Sequence, residues 1–537
     1  MSSQIMGKLI SVAMLIVFFF VVLLAVTSNA QIKDIENEMN SVLVKEISFT
    51  GNTLIETDTL QKLTEEFKNR ELTFDEMNGL AELITLEYQE RGYMVAKAFI
   101  PEQEIKDGVL KVTITEGNVG KIMVVGNKYY KDRVLTRNFQ PLVKHGVIKE
   151  STLERAYLLT NDLPSAETNV VLEPGGDPGT VDVILKTKDK TAVSLGLDYN
   201  NYGSEVVGEN RFGAKFDVTD PWLGSTLSLR VITSREWGDT ALGTADWTIP
   251  VNNYGTKFGV GALTSNYAVV GVGLADLGFE GDSTFYHGNL THPFLKKRDK
   301  NLSGTLGYEH KKTNNFQFED ILASTDETDE GYLGLNFDNL DRFLGKNFLS
   351  FRYYYGSADV DSQPPPSRPA ADDRFNRLFF ELSRVQKIKG YTNILLSAFG
   401  QYSPDRLLPF DGFVIGGYGT VRGQPPFVFI GDSGYAATAE LMFAPPFLSE
   451  KVFLGQRVGE MVQIALFFDA AGTWINDASL GQSDRESLQG YGAGLRLYYK
   501  DWFRFRFDVG FPVDRLPETE VPNAKGVYYY FMASLNF

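Results

Sequence analysis

A glycine-rich segment in the last quarter of the chain contains an isolated arginine. Residues 416–423 are Gly-Gly-Tyr-Gly-Thr-Val-Arg-Gly, and a second glycine-bounded group, Gly-Asp-Ser-Gly, follows at 431–434. Glycines permit tight turns and a close approach of the backbone to a neighbouring surface. If this segment folds into a protein interior, Arg422 must pair with a carboxylate, because an unpaired buried charge is costly. The expected chemistry is ionic pairing that positions a loop, and no bond need be made or broken.

Two carboxylates further along the chain are candidate partners for Arg422. Asp469 ends the alternating segment 462–469, where apolar neighbours would increase the value of a forked guanidinium partner. Glu440 lies within a second alternating segment at 435–443 and is the other candidate. Asp469 is the preferred candidate and Glu440 the second, although spacing along the chain does not by itself establish the pairing.

Alternating segments of this kind recur from about residue 191 to the end of the chain. In residues 503–511 the odd positions are apolar, whereas Arg504, Arg506 and Asp508 occupy even positions. Side chains alternate across a strand, so one face is apolar and the other polar. A soluble β-sandwich could bury the apolar face, but repetition without an intervening helix favours a transmembrane barrel with its charges in a hydrated lumen. We therefore predict a barrel over residues 191–537.

The carboxy-terminal strand supports the membrane interpretation. Its apolar face comprises Tyr529, Phe531, Ala533, Leu535 and Phe537. A strand this aromatic would be an aggregation hazard in water, but it is expected on the lipid side of a closed barrel. We predict that Phe531, Leu535 and Phe537 form the signal for barrel assembly. Roughly 22 residues per strand and connection predict about 16 strands, an even number as such barrels require.

The amino terminus is predicted to be a signal peptide. Lys8 precedes an uncharged run from Leu9 to Val26, and small residues lead up to Ala30. Cleavage after Ala30 would remove residues 1–30 and leave residues 31–42 as a short segment before the first strand. Because the run is also long enough to span a bilayer, an uncleaved anchor is the alternative.

Two similar segments lie between the signal peptide and the barrel. Residues 43–117 predict a β-α-α-β-β unit, and residues 118–190 repeat the pattern. Gly51-Asn52 near the start of the first segment is echoed by Gly126-Asn127 in the second. An internal repeat of this length predicts two small α/β domains.

Capping boxes predict the start of one helix in each of these segments. Thr73 and Glu76 form the first box, and Ser151 and Glu154 form the second. In such a box the hydroxyl accepts from the backbone amide three residues later, while the carboxylate accepts from the first residue's amide.

Composition excludes several kinds of protein. The chain has no cysteine and only 4 histidines, so a disulfide framework or Cys/His metal site is impossible and a histidine-based triad is not supported. A net charge of −16 argues against nucleic-acid binding. The acidic stretch 319–330 is interpreted as a solvated loop, and the proline-rich stretch 362–369 as a long outer loop. We expect no enzyme activity, no cofactor and no metal.

In their order along the chain, several short motifs resemble the transporters of two-partner secretion, the TpsB family of the outer-membrane assembly factor superfamily. The first α/β segment is similar to the family's first polypeptide-transport-associated (POTRA) domain at Gly51, Asn52, Tyr88, Gly92, Tyr93, Pro101 and Gln103. Residues 158–164 and 172–175 are similar to the second POTRA domain. Val421, Arg422 and Gly423, followed by residues 431–434 and Glu440, are similar to the family's loop and the strand after it.

The resemblance implies an all-β membrane barrel preceded by two periplasmic POTRA domains. It also implies that Arg422 contacts Asp469 on the inner barrel wall. Two departures bear on the packing of the loop: Gln424 stands where the family usually has an aromatic residue, and Ala471 where it usually has glycine. The family often has an amino-terminal plug helix, for which residues 31–42 leave little room.

The implied function is export of an unfolded partner protein from the periplasm to the cell surface. In this family the partner is usually a large β-helical adhesin or cytolysin. The implied location is the outer membrane of a Gram-negative-type cell, with outer-membrane lipid and the barrel assembly machinery as further partners. The alternative is an insertase, which in this superfamily has more POTRA domains. A porin needs no such domains, and a hydrolase would need a catalytic spacing that is not found here.

Overall fold

The computed structural model describes residues 41–537 apart from 235–239, 270–278, 319–320, 479–482, 518–520 and 522–523. The predicted signal peptide and all but the last two residues of segment 31–42 lie outside the described residues. No helix in the described part of the chain is long and apolar enough to cross a membrane. The chain divides into two compact units: one contains the residues up to Met123 with 139–154 and 170–184, and the other contains the rest.

The first predicted domain is a small α/β unit. Its elements are β1 (Val42–Val44), β2 (Glu46–Thr50), α1 (Thr57–Leu63), β3 (Arg70–Leu72), α2 (Phe74–Glu90), β4 (Lys97–Phe99) and β5 (Val109–Thr115), with a 3-10 turn at Glu65–Phe67. The strands form a three-stranded sheet of order β2-β5-β4 and a separate β1-β3 pair. Strands β2 and β4 are therefore the edges of the larger sheet.

Helix α2 begins as its capping box predicts. The backbone amide of Thr73 donates to Glu76 Oε2 at 2.8 Å, and the Glu76 amide donates to the Thr73 hydroxyl at 3.3 Å. The Thr73 amide, which donates to this carboxylate, holds the pKa of Glu76 below its usual range. The helix buries one apolar stripe, which includes Leu80, Ile84 and Tyr88. It ends just before Gly92, whose φ of 86° suits glycine.

A buried carboxylate fixes the turn at Gly51-Asn52 in this domain. Glu116 accepts hydrogen bonds from the backbone amides of Thr53 (2.6 Å) and Leu54 (2.8 Å). It also accepts from the hydroxyl of Tyr88 at 2.9 Å, and burial raises the pKa of that tyrosine. Glu116 therefore links the turn to helix α2. It also accepts from donor groups that burial would otherwise leave without a hydrogen-bond partner.

The second predicted domain contains more helices than its sequence pattern predicts. Its elements are β6 (Asn118–Val125), α3 (Asp132–Thr136), α4 (Gln140–His145), α5 (Glu150–Asn161), β7 (Ala166–Pro174) and β8 (Thr180–Asp189), with a 3-10 turn at Arg137–Phe139. The strands form a sheet of order β6-β8-β7. The capping-box prediction at Ser151 is wrong, because helix α5 already includes Glu150 and so places Ser151 inside the helix.

The turn geometry of the first domain recurs in this second segment. The Asn127 side chain donates to Tyr130 O and Asp132 Oδ1, each at 2.9 Å. Asn52 likewise donates to the carbonyl three residues later and to a side chain five residues later. Asp189 accepts from the Tyr130 amide at 2.8 Å, a role that corresponds to that of Glu116. The repeated hydrogen bonds favour two domains of one type, and the boundary 118–190 stays a prediction.

From Val193 onward, the described residues form a closed barrel of 16 strands, which confirms the predicted fold class and strand number. The barrel strands are β9 (Val193–Asn200), β10 (Arg211–Thr219), β11 (Thr226–Ser234), β12 (Thr240–Pro250), β13 (Lys257–Ala268), β14 (Glu280–Lys296), β15 (Lys300–Gln317), β16 (Ile321–Leu340), β17 (Gly345–Ala358), β18 (Arg374–Lys389), β19 (Thr392–Tyr402), β22 (Ser433–Phe443), β25 (Val462–Trp474), β26 (Arg485–Tyr499), β27 (Phe503–Pro512) and β28 (Tyr528–Asn536). The connections contain two short hairpins and a one-turn helix: β20 (Phe413–Ile415) with β21 (Phe429–Gly431), β23 (Val452–Phe453) with β24 (Gln456–Arg457), and α6 (Val458–Met461).

The acidic stretch at 319–330 is not a solvated loop where the structure describes it. Residues 321–330 begin strand β16 and pair with β15. Contacts between the two strands bind the acidic side chains: Lys312 Nζ lies 2.8 Å from Glu327 Oε2, and His310 Nδ1 lies 2.9 Å from Asp329 Oδ1. The proline-rich stretch, in contrast, lies in the loop between β17 and β18, as predicted from its composition.

Candidate functional site

The glycine-rich segment belongs to a loop at 403–432 that joins strands β19 and β22. Apolar residues of this loop, Phe413, Ile415 and Val421, are buried against the barrel wall. Their partners are Ala436 on β22, Ala471 on β25 and Leu488 on β26. These wall residues share a face with the lumen charges of their strands, so the loop is packed inside the barrel.

Arg422 projects from this loop into a buried group of carboxylates. Its Nε and Nη2 donate to the two oxygens of Asp469 at 2.7 and 2.9 Å, and its backbone amide donates to the same group at 3.1 Å. Its Nη1 donates to Glu440 Oε2 at 2.7 Å. Both candidate partners named from the sequence therefore contact Arg422, and the bidentate contact is with Asp469.

Three further wall residues complete the cluster. Arg496 donates to Asp508 at 2.6 Å and to Glu440 at 2.9 Å. Arg506 donates to Asp508 at 2.8 Å. With Arg422 present, three guanidinium groups face three carboxylates. We call Arg422, Arg496, Arg506, Glu440, Asp469 and Asp508 the lumen cluster.

Because the lumen cluster is buried, its stability depends on every one of its charged side chains. Arg422 is 3% exposed, and its guanidinium carbon lies 3.5 Å from the ring centre of Phe467. A cation stacked on an aromatic face and bound by carboxylates is stabilised in that position. Removing one partner of a buried ion pair typically costs about 3–5 kcal/mol, because the other charge is left uncompensated. The cluster can thus hold the loop in one position.

Glycines let the loop backbone lie directly on the wall. Gly423 has a φ of 99°, and a Cβ there would lie 2.6 Å from Phe511 O. A Cβ at Gly510 would lie 2.6 Å from Gly423 N, and one at Gly490 would overlap the carbonyl oxygen of Arg422. The loop and the wall therefore have matched glycines at their closest approach.

Replacing Gly490 by alanine is expected to displace the loop and lower export about tenfold, because the new methyl group would occupy the place of the Arg422 carbonyl. The matched control is Gly288→Ala on β14, where an added Cβ meets no atom within 4 Å. Export would be measured as secreted partner per folded barrel. Equal export by the two variants would contradict a requirement for close loop-wall contact.

The two departures from the family pattern are accommodated locally. The Gln424 side chain donates to the backbone carbonyls of Gln489 (3.2 Å) and Asp514 (3.0 Å). Tyr530, which is 5% exposed, donates its hydroxyl proton to the backbone carbonyl of Gln424 at 3.1 Å. Ala471 belongs to the apolar contact between loop and wall. The amide side chain thus fastens the loop by hydrogen bonds at the position of the usual aromatic residue.

A separate group of contacts holds the carboxy-terminal end of the loop at 403–432. Asp432, from the second glycine-bounded group, accepts from Arg368 of the proline-rich loop, with one contact at 3.2 Å. It also accepts from the backbone amides of Leu407 (2.8 Å) and Asn476 (2.7 Å). Donors from three residues, on three different connections between barrel strands, therefore converge on this carboxylate.

The remaining predicted site residues are not members of the lumen cluster. In the first α/β domain, Tyr93 makes an edge contact with Tyr88 at 6.1 Å between ring centres. Gln103 exchanges hydrogen bonds with the backbone of Lys111 at 2.8 and 2.9 Å. This side chain, two residues after Pro101, thereby extends the pairing of strand β5.

The carboxy-terminal residues lie at the seam that closes the barrel. Strand β28 pairs with β9 over five residue pairs, from Met532 with Asn200 to Asn536 with Gly196. The backbone of Phe537 exchanges hydrogen bonds with that of Leu195 at 2.8 and 3.1 Å. The Phe537 side chain is 66% exposed, as a lipid-facing residue would be.

Arg496, Arg506 and Asp508 were not predicted as members of the site. The alternating pattern at 503–511 predicts that Arg506 and Asp508 face the lumen, but it does not identify their partners. Arg496 follows three glycine–apolar pairs at residues 490–495, and its position directly opposite Arg506 on the neighbouring strand emerges only from the strand register. Two arginines side by side are stable here because Asp508 and Glu440 bind them both.

Comparison with known proteins agrees with this architecture. Residues 42–117 match the family described as POTRA domain, ShlB-type, and residues 179–497 match Haemolysin secretion/activation protein ShlB/FhaC/HecB. The chain is 24% identical over 476 residues to the heme/hemopexin transporter protein HuxB of Haemophilus influenzae (strain 86-028NP), covering 86% of this chain and 82% of HuxB. Its fold is similar to that of CdiB from Escherichia coli, with a TM-score of 0.76, 20% identity, and coverage of 93% of this chain and 91% of CdiB. CdiB from Acinetobacter baumannii gives a TM-score of 0.68 at 19% identity, with coverage of 93% and 90%.

Proposed function

The chain belongs to the haemolysin secretion/activation family ShlB/FhaC/HecB, and we propose that it exports one large partner protein across the outer membrane. The barrel spans that membrane, and the POTRA region lies in the periplasm. The partner is an unfolded chain in transit, of the β-helical adhesin or cytolysin class. Transport of a polypeptide requires a pore and a recognition surface, and no bond chemistry.

The observation that carries this proposal is the loop inside the barrel. A pore whose lumen holds a loop must retain that loop in a fixed place and yet let it give way to a passing chain. Arg422 meets the first demand through its bonds to Asp469 and Glu440. Displacement would separate these charges, and water entering the lumen would then solvate them, so the contact is reversible.

Recognition is proposed to use the exposed edges of the POTRA sheet. Strands β2 and β4 flank β5, and in the part of the chain that the structure describes no further strand joins this sheet on their outer sides. An extended segment of the partner could add to such an edge through backbone hydrogen bonds, which give affinity with little demand on sequence. We propose residues 118–190 as a second domain of this type.

Deletion of the gene tests the proposed function against the insertase alternative. We expect the loss of one large secreted product from the medium and the cell surface, with other outer-membrane proteins at unchanged levels. The measurement is quantitative comparison of the secreted and outer-membrane proteins of the deletion strain and the same strain complemented in trans. A general fall in outer-membrane barrel proteins would instead identify an insertase.

A further inference from the structure

The loop at 403–432 carries a second buried charge, of opposite sign to Arg422. Asp411 lies in a 3-10 turn at Pro409–Asp411, just before the small hairpin of the loop. It is 3% exposed. A carboxylate buried to this degree is stable only if cations or hydrogen-bond donors surround it.

The barrel wall supplies those groups to Asp411. Lys311 on β15 donates to Asp411 Oδ1 at 2.7 Å, and Arg377 on β18 lies 3.4 Å from the same oxygen. The hydroxyl of Thr328 on β16 donates to Oδ2 at 3.4 Å. Asp411 thus contacts three wall strands at once.

The wall groups are themselves held in place. Arg377 donates to Glu330 at 2.9 and 2.7 Å, and its guanidinium carbon lies 4.0 Å from the ring centre of Tyr354. Lys311 also pairs with Glu330, and Glu309 lies 3.5 Å from it. The site is therefore built into the wall, with two cations that face both Glu330 and the carboxylate of the loop.

The backbone of the loop is fastened at the same place. Gln401 at the end of β19 donates to Asp411 O at 2.7 Å and to Asp432 O at 3.1 Å. Its own oxygen lies within hydrogen-bond distance of Arg377 Nη1, at 3.4 Å. The Gln401 side chain thus joins Arg377 to the loop backbone at Asp411 and at Asp432.

We propose that Asp411 is a second ionic anchor, which holds the loop to strands β15, β16 and β18 while Arg422 holds it to β22, β25 and β27. The two anchors have opposite charges and share no wall residue. The inference rests on the proposed function in one respect, since it makes release of both anchors a condition for passage of the partner. Asp411 acts as a positioning residue through the loop.

The position of the loop can be measured without any partner protein. The natural chain has no cysteine, so one introduced cysteine gives a unique label. Gly419 near the tip of the loop is exposed, and a Cβ there meets no atom within 4 Å. Gly419→Cys is therefore a suitable reporter, and its reaction rate with a membrane-impermeant maleimide added to intact cells reports how accessible the loop is.

In the Gly419→Cys background, Asp411→Asn is expected to raise the labelling rate about tenfold, as the loss of a buried charge-assisted contact should. Lys311→Gln removes the same contact on the side of the barrel wall and should also raise the labelling rate. The matched control is Asp373→Asn, which makes the same chemical change at an exposed carboxylate in the outer loop. Folded barrel is quantified by heat-modifiable mobility, and export is measured in parallel.

Faster labelling in both anchor variants, with folded barrel at the parental level, would support the second anchor. Labelling at the rate of Asp373→Asn would overturn it, and so would loss of folded barrel in both anchor variants, which would assign these residues to assembly. Labelling does not depend on transport. Faster labelling together with absence of any exported product in the parent would leave the anchor standing and reject the exporter.

Discussion

Export is expected to fall at least tenfold when Arg422 is replaced by alanine, while the amount of folded barrel in the outer membrane stays close to that of the parent. The substitution removes the guanidinium that binds Asp469 and Glu440 and leaves three buried carboxylates facing two arginines. A loss of about 3–5 kcal/mol at such a site is enough to release the loop from its position. The barrel itself persists because its strands are joined by backbone ladders that do not involve Arg422.

Arg504→Ala is the matched control for this experiment. Arg504 faces the lumen from β27 but is exposed and lies outside the lumen cluster. Export is measured as secreted partner per folded barrel, and thermal unfolding of the purified protein is followed alongside. Parental export by Arg422→Ala at equal abundance would contradict the assigned role.

A double variant separates charge balance from loop positioning. Adding Asp469→Asn to Arg422→Ala restores equal numbers of positive and negative groups in the cluster. Thermal stability should therefore recover in part, whereas export should not, because the loop still lacks its tether. Recovery of both would mean that only the charge balance of the lumen matters.

Deletion of Phe537 is expected to lower the level of folded barrel in the outer membrane about tenfold. The backbone of Phe537 contributes two hydrogen bonds to Leu195 at a seam that has only five residue pairs. Loss of these bonds shortens the seam and leaves the backbone amide and carbonyl of Leu195 without these partners. The exposed aromatic side chain is also the predicted assembly signal, together with Phe531 and Leu535.

The comparison with Phe294→Ala distinguishes the seam from a general loss of lipid-facing aromatic surface. Phe294 is 62% exposed, close to the 66% of Phe537, and lies on β14 away from the seam. Phe537→Ala retains the backbone bonds and should have an intermediate effect. The readout is folded barrel by heat-modifiable mobility in isolated outer membranes. Equal levels after deletion of Phe537 and in Phe294→Ala would show that the seam contacts are dispensable.

The sequence by itself determined three features of the protein. Lipid contacts the apolar face of the strands, the strands form a barrel, and the glycine-rich segment with Arg422 is the central loop. Period-two alternation places apolar residues on one face wherever a strand forms, so residues such as 503–511 specify a lipid side and a lumen side before any fold is known. The spacing of Gly51-Asn52 and Gly126-Asn127 likewise predicted repeated turns, because each Asn bonds groups only three and five residues away. Local rules of this kind need no knowledge of distant neighbours.

Only the tertiary structure decided which charges meet. Arg422 is 47 residues from Asp469 along the chain, and Asp411 is 100 residues from Lys311. The strand register and the path of the loop bring these groups together, and neither is encoded in any short stretch. The prediction of a solvated loop at 319–330 is wrong for the same reason, since Asp326 binds Ser367 and Glu330 binds Lys311 and Arg377, which are distant in the sequence. Charge pairing in a lumen is a property of the closed barrel, because closure sets which faces oppose one another.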